Sequence, residues 1–377
     1  MEVLPSASDS EDKGKLIEIT RDVVKLEDAA AKKKEIEIKR ASRNYNIGVI
    51  ELPTFYMDFE AYNKNRFDYK SSSRDVKKML RELDAANIDG LILDLRGNGG
   101  GFLFEAYSLA KLFIGRGNVV QVMEANGTLQ SLGHNLGQQN YDGPIVILVD
   151  KLSASASEIL AGVIQDYDRG LVIGSQTFGK GTVQRMIELS HGHLKFTEQK
   201  YYRVSGESTQ NKGVEPDITI PLVFNDEEIG ERSYENSLPY NHIDPIFYRS
   251  FNKVENVDLL KTISSNRTNS NEMSIYISSQ QDFYENEKNN NVVPINVEKR
   301  KSMKFAREAK ILLMENKFRK SLNLDPFVTY DEFVNSDPEE ISELREEIVL
   351  QEAAEILVDS LQFSETPSRI SFGIMSQ

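Results

Sequence analysis

The middle of this chain alternates between short apolar segments and segments with helical spacing, and this rhythm constrains the fold more than any other feature. The apolar segments occupy residues 46–52, 90–95, 144–149 and 170–174. The helical segments occupy residues 74–86, 104–114 and 155–167. Short, mostly apolar strands that alternate with helices are typical of a sheet buried on both faces. The sequence therefore predicts an α/β unit whose sheet is covered on both sides.

The segments on either side of this block differ from it in composition. A length of 377 residues predicts about two to three domains. We divide the chain into residues 1–44, 45–224 and 225–377. The first part is a short β segment with alternating strands at residues 16–20 and 35–38.

The last part is predicted to be a mostly helical region. An Asn-rich stretch at residues 286–291 is interpreted as a loop. One helix is predicted at residues 297–322. A second begins near Ser336, has Pro338 in its first turn, and continues to residue 362.

Composition excludes several classes of function. The chain has 59 acidic and 45 basic residues and a net charge of −14, which argues against a nucleic acid or an anionic membrane as partner. It has no cysteine, so disulfides, thiolate zinc sites and a cysteine nucleophile are excluded. No apolar run approaches the ~18 residues of a membrane span. Residues 1–15 are polar and acidic and do not resemble a signal peptide.

A serine-rich turn joins the apolar strand at residues 145–149 to the following helix. A serine at such a turn lies beside the free N–H groups of a helix N-terminus, which favour the oxyanion that forms when it attacks a carbonyl. Ser155 is the candidate nucleophile. Ser155 and Glu158 also have the spacing of a capping box, so a purely structural cap remains the alternative.

A nucleophilic serine needs a base, and the histidines do not supply an obvious one. All four (His134, His191, His193 and His242) lie in segments that look like surface loops. Lys180 lies between Gly179 and Gly181, after an apolar strand. A lysine in a dry site has a lowered pKa and can accept a proton near neutrality. The alternative is an exposed lysine in a hairpin.

Residues 174–180 also match a phosphate-binding P-loop up to its last position. Gly181 then stands where Ser or Thr should bind magnesium. Residues 182–189 alternate like a strand, whereas a P-loop lysine opens a helix. A nucleotide-binding protein is therefore a distant alternative.

Several long motifs occur in one order along the chain. They are LDLRGNGGG at residues 93–101, LVDKLSASASEI at 148–159, TFGKGTVQ at 177–184, YRVSGESTQ at 202–210 and KGVEPD at 212–217. Together they resemble the C-terminal processing peptidases, also called tail-specific proteases. The resemblance covers residues 46–221 strongly, and the helical tail is similar to that of the long, tail-specific branch.

The resemblance implies Ser155 as nucleophile and Lys180, 25 residues later, as general base. Ser153 and Ser157 become structural neighbours. Asp166 and Gln184 each match a third catalytic residue of some relatives. Asp166 is ~16 Å from Ser155 along a straight helix, and Gln184 is ~13 Å from Lys180 along an extended strand. Gln184 is favoured, provided that the chain bends at a flanking glycine.

Backbone N–H groups are expected to bind the oxyanion. Gly99, Gly100 and Gly101 follow the strand at residues 91–95, and Ala156 follows the nucleophile. We expect Ala156 and one of these glycines to form the oxyanion hole. A plain glycine turn is the alternative.

The resemblance further implies a crotonase-like α/β core that cleaves unfolded or C-terminally marked proteins through an acyl-enzyme, without metal or cofactor. It implies an extracytoplasmic, often periplasmic location, and it leaves room for an adaptor protein. Relatives usually carry a PDZ domain before the core, and a full one does not fit before residue 45. Residues 1–44 are interpreted as the end of one, in a partial chain. A non-catalytic peptide-binding module on the same fold is the alternative function.

Overall fold

The computed structural model describes residues 2–3, 15–18, 30–41, 43–133, 137–220, 228–289, 292–336 and 338–365. The strands in these residues are β1 (Glu2–Val3), β2 (Lys15–Leu16), β3 (Lys32–Lys39), β4 (Asn44–Glu51), β5 (Gly90–Asp94), β6 (Val120–Glu124), β7 (Leu129–Leu132), β8 (Ile145–Val149), β9 (Leu171–Gly174), β10 (Thr182–Glu188), β11 (His193–Tyr202) and β12 (Ile218–Thr219). The α-helices are α1 (Phe59–Asn63), α2 (Ser72–Ala85), α3 (Leu103–Ile114), α4 (Ala156–Asp166), α5 (Val257–Asn269), α6 (Glu272–Asn289), α7 (Val297–Ser321), α8 (Tyr330–Val334) and α9 (Pro338–Glu365).

A six-stranded sheet forms the centre of the fold, with the spatial order β12-β9-β8-β5-β4-β3. All neighbouring strands run parallel except β3, which pairs with β4 in the antiparallel sense. Every residue of β5 and of β8 is buried, as expected for strands covered on both faces. The α/β prediction is confirmed.

One face of the sheet packs against α2, α3 and α4. Helix α2 is amphipathic and buries Val76, Leu80 and Leu83, which recur at helical spacing. Helix α4 is buried along most of its length because it lies between the sheet and α3. This tight packing fixes the start of α4, where the serine turn lies.

The other face is covered by α5 and α9 from the C-terminal region. Buried side chains of α9, among them Leu350, Ala353 and Leu357, pack on the sheet together with Leu260 of α5. Small residues on α9 let its backbone approach the strands closely. The C-terminal helices therefore complete the buried sheet rather than forming only a separate appendage.

A second sheet of four strands has the order β10-β11-β6-β7. Strands β10 and β11 form an antiparallel hairpin whose turn contains Gly192, with φ of 87°. The pairing register shifts by a bulge between Val183 and Gln184.

The C-terminal region contains more helix than expected in its polar part. Asn286 and Asn289 lie in the last turns of α6, and not in a loop as predicted, while residues 290–291 of the same stretch lie outside the described part. The polar side chains of α6 face solvent, while Met273, Tyr276, Ile277 and Phe283 bury one side of the helix. Helices α7 and α9 match the two predicted helices closely.

Near the N-terminus, the strand predicted at residues 16–20 is shorter in the structure. Only Leu16 belongs to β2, Ile17 and Glu18 follow it without strand pairing, and residues 19–20 lie outside the described part. Within the described residues, no helix combines the length and apolarity required to cross a bilayer.

Three loops meet at one edge of the central sheet. The adjacent parallel strands β5, β8 and β9 all end there, and the chain continues into residues 95–102, 150–155 and 175–181. In open α/β sheets ligands bind at the carboxyl ends of the strands. This edge therefore holds the glycine, serine and lysine motifs in one place.

Candidate active site

Ser155 lies immediately before α4 and has an unusual backbone conformation. Its φ is 58° and its ψ is −111°, in a region that residues with a side chain rarely occupy. Such strain costs ~1–3 kcal/mol and persists only where the surroundings impose it. The conformation turns the chain sharply between β8 and α4 and leaves the half-buried serine at the surface of a cleft.

The neighbouring serines have a different environment. The hydroxyl of Ser153 donates to the carbonyl of Leu95 (2.8 Å), and that of Ser157 donates to the carbonyl of Asn98 (2.8 Å). Both side chains are fully buried. They hold the serine turn against the glycine loop, whereas Ser155 is the one of the three that lines the cleft.

A buried carboxylate, Glu158, connects the serine turn to the lysine segment. Its Oε2 accepts hydrogen bonds from the backbone N–H groups of Ser155 (2.7 Å) and Lys180 (2.9 Å). Its Oε1 accepts from the Thr177 hydroxyl and the Gly179 N–H, both at 2.7 Å. Glu158 therefore fixes the backbone of both candidate catalytic residues at once.

The electrostatics of Glu158 reflect its burial. Desolvation raises the pKa of this carboxyl to about 7, although the four hydrogen bonds act to lower it. The carboxyl therefore changes its charge near neutral pH.

Lys180 is half-buried, and its ammonium donates to the carbonyl of Thr182 at 3.4 Å. Desolvation lowers the pKa of Lys180. The negative charges of Glu231 and Glu158 oppose this shift, while the positive charge of Lys195 adds to it. A lysine with a lowered pKa can act as a base at a pH where ordinary lysines are protonated.

Tyr201 of β11 lies beneath both residues. Its hydroxyl contacts the carbonyl of Ser155 (3.2 Å) and hydrogen-bonds the carbonyl of Lys180. The ring is fully buried. The hairpin strand is thereby tied to the serine turn and to the lysine segment at the same point.

Ser155 and Lys180 line one open cleft with a volume of about 620 Å³. Apolar side chains form much of its wall; they include Phe55, Met57, Phe102, Leu103, Ile159, Val183 and Met186. Such an open, largely apolar groove can accept an extended polypeptide segment. The structure thus brings the two sequence-predicted dyad residues into a shared site.

The glycine loop packs against Ser155. A Cβ on Gly100 would lie 2.8 Å from the Cβ of Ser155 and 2.9 Å from the carbonyl oxygen of Ala154, and φ at this glycine is 103°. Glycine is therefore required at this position. The Gly100 N–H donates to Oδ1 of Asn98 at 2.9 Å, so it is not directed at a substrate.

Gly99 and Ala156 differ from Gly100. Both line the cleft, and no described residue accepts a hydrogen bond from either N–H group. Ala156 is the first residue of α4, where N–H groups lack partners within the helix. Of the predicted oxyanion residues, the structure brings Gly99, Gly101 and Ala156 to the cleft and leaves Gly100 behind them.

Comparisons with known proteins identify the family of the segment that forms this cleft. Residues 46–220 match "Peptidase family S41" and residues 224–362 match "C-terminal domain of tail specific protease (DUF3340)". This chain belongs to peptidase family S41. Its S41 segment contains all the loops that form the cleft, so the predicted family and its α/β fold class are confirmed.

Among curated relatives, the tail-specific protease of Haemophilus influenzae is 39% identical over 255 residues, which are 65% of this chain and 34% of that protein. The carboxyl-terminal-processing protease of Synechocystis sp. is 33% identical over 208 residues, 54% of this chain and 44% of that protein. The chain therefore spans less than half the length of these relatives. A solved structure, the photosystem II D1 C-terminal processing protease, aligns with a TM-score of 0.42 and 26% identity over 55% of this chain and 50% of that one.

Asp166, one of the two sequence candidates for the third S41 catalytic residue, forms an ion pair on the far side of α4. Its carboxylate accepts from Nη2 (2.5 Å) and Nε (3.1 Å) of Arg203 and from the hydroxyl of Ser205 (3.2 Å). It does not line the cleft. The structure therefore places Asp166 with Arg203 and not with Lys180.

Gln184, the other candidate, lies in the cleft next to Lys180. Its side chain is exposed and has no hydrogen-bond partner among the described residues. The bulge between Val183 and Gln184 bends the strand locally. It lies two residues beyond Gly181, the nearer of the two glycines at which the bend is predicted.

The three described histidines lie away from this S41 cleft. His191, His193 and His242 are exposed, and none of these described residues lines it. His134 falls outside the described residues. Lys180 precedes strand β10 and not a helix, so its context differs from that of a P-loop lysine.

Sequence reasoning missed two residues that shape this site. Glu158 was interpreted only as the partner of Ser155 in a capping box, because its bonds to residues 177–180 depend on the tertiary fold. For Tyr201, the sequence showed only that it lies in a polar strand. Glu158 lies within one of the family motifs and Tyr201 directly precedes another, and this proximity could have pointed to both residues.

Proposed function

We propose that this chain is the catalytic part of a serine endopeptidase that uses a Ser155–Lys180 dyad. The observation that supports this most is their shared cleft: a serine in a strained turn and a half-buried lysine with a lowered pKa line the same groove. The proposed protease core comprises residues 45–224, and the proposed C-terminal helical region comprises residues 225–377, of which α5–α9 are the described helices.

In the proposed reaction, neutral Lys180 takes the proton of the Ser155 hydroxyl, and the oxygen attacks the carbonyl carbon of a peptide bond. The N–H groups of Ala156 and Gly99 stabilise the resulting oxyanion. Lys180 then gives the proton to the leaving amine. In the second half of the reaction, Lys180 takes a proton from water, the water oxygen attacks the acyl-enzyme, and Lys180 returns the proton to the oxygen of Ser155.

Supporting roles follow from the contacts. Glu158 positions the backbones of Ser155 and Lys180, and Gln184 is proposed to orient the lysine amine from the cleft side. Asp166 would act only through its ion pair with Arg203, which braces the end of α4.

Proteins are the proposed substrates, because an open and largely apolar groove accepts extended segments better than folded surfaces. The relatives' names, tail-specific and carboxyl-terminal-processing protease, support substrates that are unfolded or marked at the C-terminus. By the same family argument we propose an extracytoplasmic, periplasmic location and assistance from an adaptor protein.

The test compares degradation of an unfolded protein by the wild type, Ser155→Ala and Lys180→Ala. Both variants should lose at least ~10³-fold in rate, as expected when members of one catalytic unit are removed. Two matched controls should retain the wild-type rate: Ser302→Ala, in an exposed part of α7, and Lys78→Ala, whose side chain on α2 is 79% exposed.

A dyad variant that degrades substrate as fast as the wild type would refute the assignment. If the wild type binds peptides in the cleft but shows no turnover that depends on Ser155, the chain is instead a peptide-binding module.

A further inference from the structure

The side chains that line the cleft carry positive charge only, although the chain has a net charge of −14. The ionisable members are Lys180 and Lys195, and none of the described residues in its wall is Asp or Glu. When Lys180 is neutral, as the proposed reaction requires, Lys195 still carries its positive charge. A groove with largely apolar walls and charge of one sign focuses its field on whatever enters. The cleft therefore favours an acidic group in a molecule that otherwise repels one.

Lys195 lies on β11 directly opposite Met186 of β10. It is exposed in the cleft, and its ammonium forms no ion pair or hydrogen bond with the residues that the structure describes. Lys195 and Lys180 line the same cleft, and the positive charge of Lys195 contributes to the lowered pKa of Lys180.

The other face of the same hairpin is different. Arg185, next to Met186 along β10, points away from the cleft and pairs with Glu198 at 2.9 Å. The two basic residues of this hairpin therefore differ. Arg185, on the outer face, is paired with a carboxylate, whereas Lys195, in the cleft, is not. An unpaired ammonium beside a substrate groove can form an ion pair with a carboxylate of the substrate.

The position of Lys195 sets where that partner lies. From Thr182, whose carbonyl accepts from Lys180, to Met186, opposite Lys195, β10 advances four residues. This corresponds to ~13 Å at ~3.3 Å per residue. An extended substrate advances at the same rate, and the lysine side chain can reach back along the groove. The facing substrate side chain is therefore about two to four residues from the cleaved bond.

We propose that Lys195 is a specificity-determining residue that selects substrates with an acidic side chain about two to four residues from the cleaved bond. This inference rests on the proposed protease function and adds a charge preference to it. The apolar wall accepts the side chains nearest the bond, and the ammonium of Lys195 pairs with a carboxylate further along. Lysine or arginine at that substrate position is disfavoured by repulsion.

The experiment uses a set of fluorogenic peptides with one apolar sequence and Glu, Gln or Lys placed in turn at four positions on either side of the scissile bond. For the wild type, kcat/KM should fall in the order Glu, Gln, Lys at one of these positions. Each step should be roughly two- to fivefold, the size expected of a partly exposed ion pair. The preference should vanish between about 0.01 M and 1 M salt because of screening.

Three variants decide whether Lys195 causes the preference. Lys195→Met should abolish it, Lys195→Glu should reverse it, and Arg185→Met, which removes one charge from the outer face of the same hairpin, should retain it. Equal rates for Glu and Lys peptides at every position in the wild type would overturn the inference. So would an unchanged preference in Lys195→Met.

Failure of the protease function is distinguishable from failure of this inference. Binding of the Glu, Gln and Lys peptides to Ser155→Ala is measured by fluorescence anisotropy, which needs no turnover. A wild type that cleaves every peptide without charge preference refutes only the role of Lys195. A wild type that cleaves none, with preferential binding of the Glu peptide to Ser155→Ala, refutes the protease and supports Lys195.

Discussion

Glu158 shows how a single residue can control the geometry of two catalytic groups. Its carboxylate accepts hydrogen bonds from four donors. Two are the backbone N–H groups of Ser155 and Lys180, and the other two, from residues 177 and 179, lie in the loop that leads to Lys180. A carboxylate can accept all four, whereas its protonated form must turn one oxygen into a donor. The charge state of Glu158 is therefore coupled to the positions of Ser155 and Lys180.

The resulting prediction concerns the pH dependence of kcat/KM. Glu158, with a pKa raised to about 7, must lose a proton to hold the site, and Lys180, with a lowered pKa, must lose one to act as a base. Both losses occur as the pH rises, so activity disappears on acidification. Below about pH 7 the logarithm of kcat/KM should fall with a slope approaching two.

Glu158→Gln tests this assignment, because its amide does not titrate. Its profile should keep only the lysine ionisation, with a slope of one, and its plateau should be at least ~10-fold lower because one amide nitrogen faces N–H donors. Glu60→Gln, at a side chain that is 79% exposed, should keep the wild-type profile. A slope of two that persists in Glu158→Gln would show that another group titrates.

At the scale of secondary-structure elements, the β10–β11 hairpin is the part that joins the second sheet to the site. Adjacent tyrosines of β11 point in opposite directions along the strand. The Tyr201 hydroxyl contacts the carbonyls of Ser155 and Lys180, and the Tyr202 hydroxyl accepts from Asn241 at 2.8 Å. Only the first of these contacts reaches the candidate dyad.

Tyr201→Phe is expected to lower kcat several-fold and to reduce the free energy of unfolding by ~1–2 kcal/mol, since the carbonyl of Lys180 loses its hydroxyl donor and that of Ser155 loses its contact with the same hydroxyl. Tyr202→Phe loses a comparable hydrogen bond outside the site, and it should change stability by ~1 kcal/mol while kcat stays within twofold. Steady-state kinetics and urea unfolding measure both quantities. Equal kcat values for the two variants would argue against a positioning role for Tyr201.

The elements that sequence could predict are those with strong apolar periodicity. Strand β8 is apolar along its length, β4 and β5 contain apolar runs at residues 47–50 and 91–93, and α4 follows a recognisable cap, so these elements could be predicted. Strand β7 is almost fully exposed and α6 is rich in Ser, Gln and Asn, so neither gave a clear pattern.

The same limit applied to the site. Ser155 and Lys180 were predictable because local turns and motifs mark them. The pairing of Asp166 with Arg203 joins residues 37 apart in sequence, and only the packed fold reveals it.

The whole molecule depends on a contact that the sequence did not reveal, the packing of the C-terminal α9 on the central sheet. Partly buried ion pairs reinforce it: Arg267 of α5 bonds Glu352 (2.7 Å) and Asp359 (2.8 Å), and Arg40, which follows β3, bonds the same Asp359 at 3.0 Å. The sheet whose edge holds the site is thus covered on its second face in part by α9, more than 100 positions away from the site loops in sequence.

Leu357→Ala tests this dependence, because Leu357 is 2% exposed and packs against Gly90 at the start of β5. Truncation should lower the free energy of unfolding by ~2–5 kcal/mol, the usual cost of a cavity in a core. The control Leu313→Ala, at a side chain that is 70% exposed on α7, should change it by less than ~0.5 kcal/mol. Leu357 lies on the face of the sheet opposite α4, so kcat of the folded Leu357→Ala protein should stay within about twofold of wild type. Urea unfolding, followed by intrinsic tyrosine fluorescence, measures the free energy of unfolding. A Leu357→Ala variant as stable as Leu313→Ala would mean that α9 does not pack on the sheet in solution.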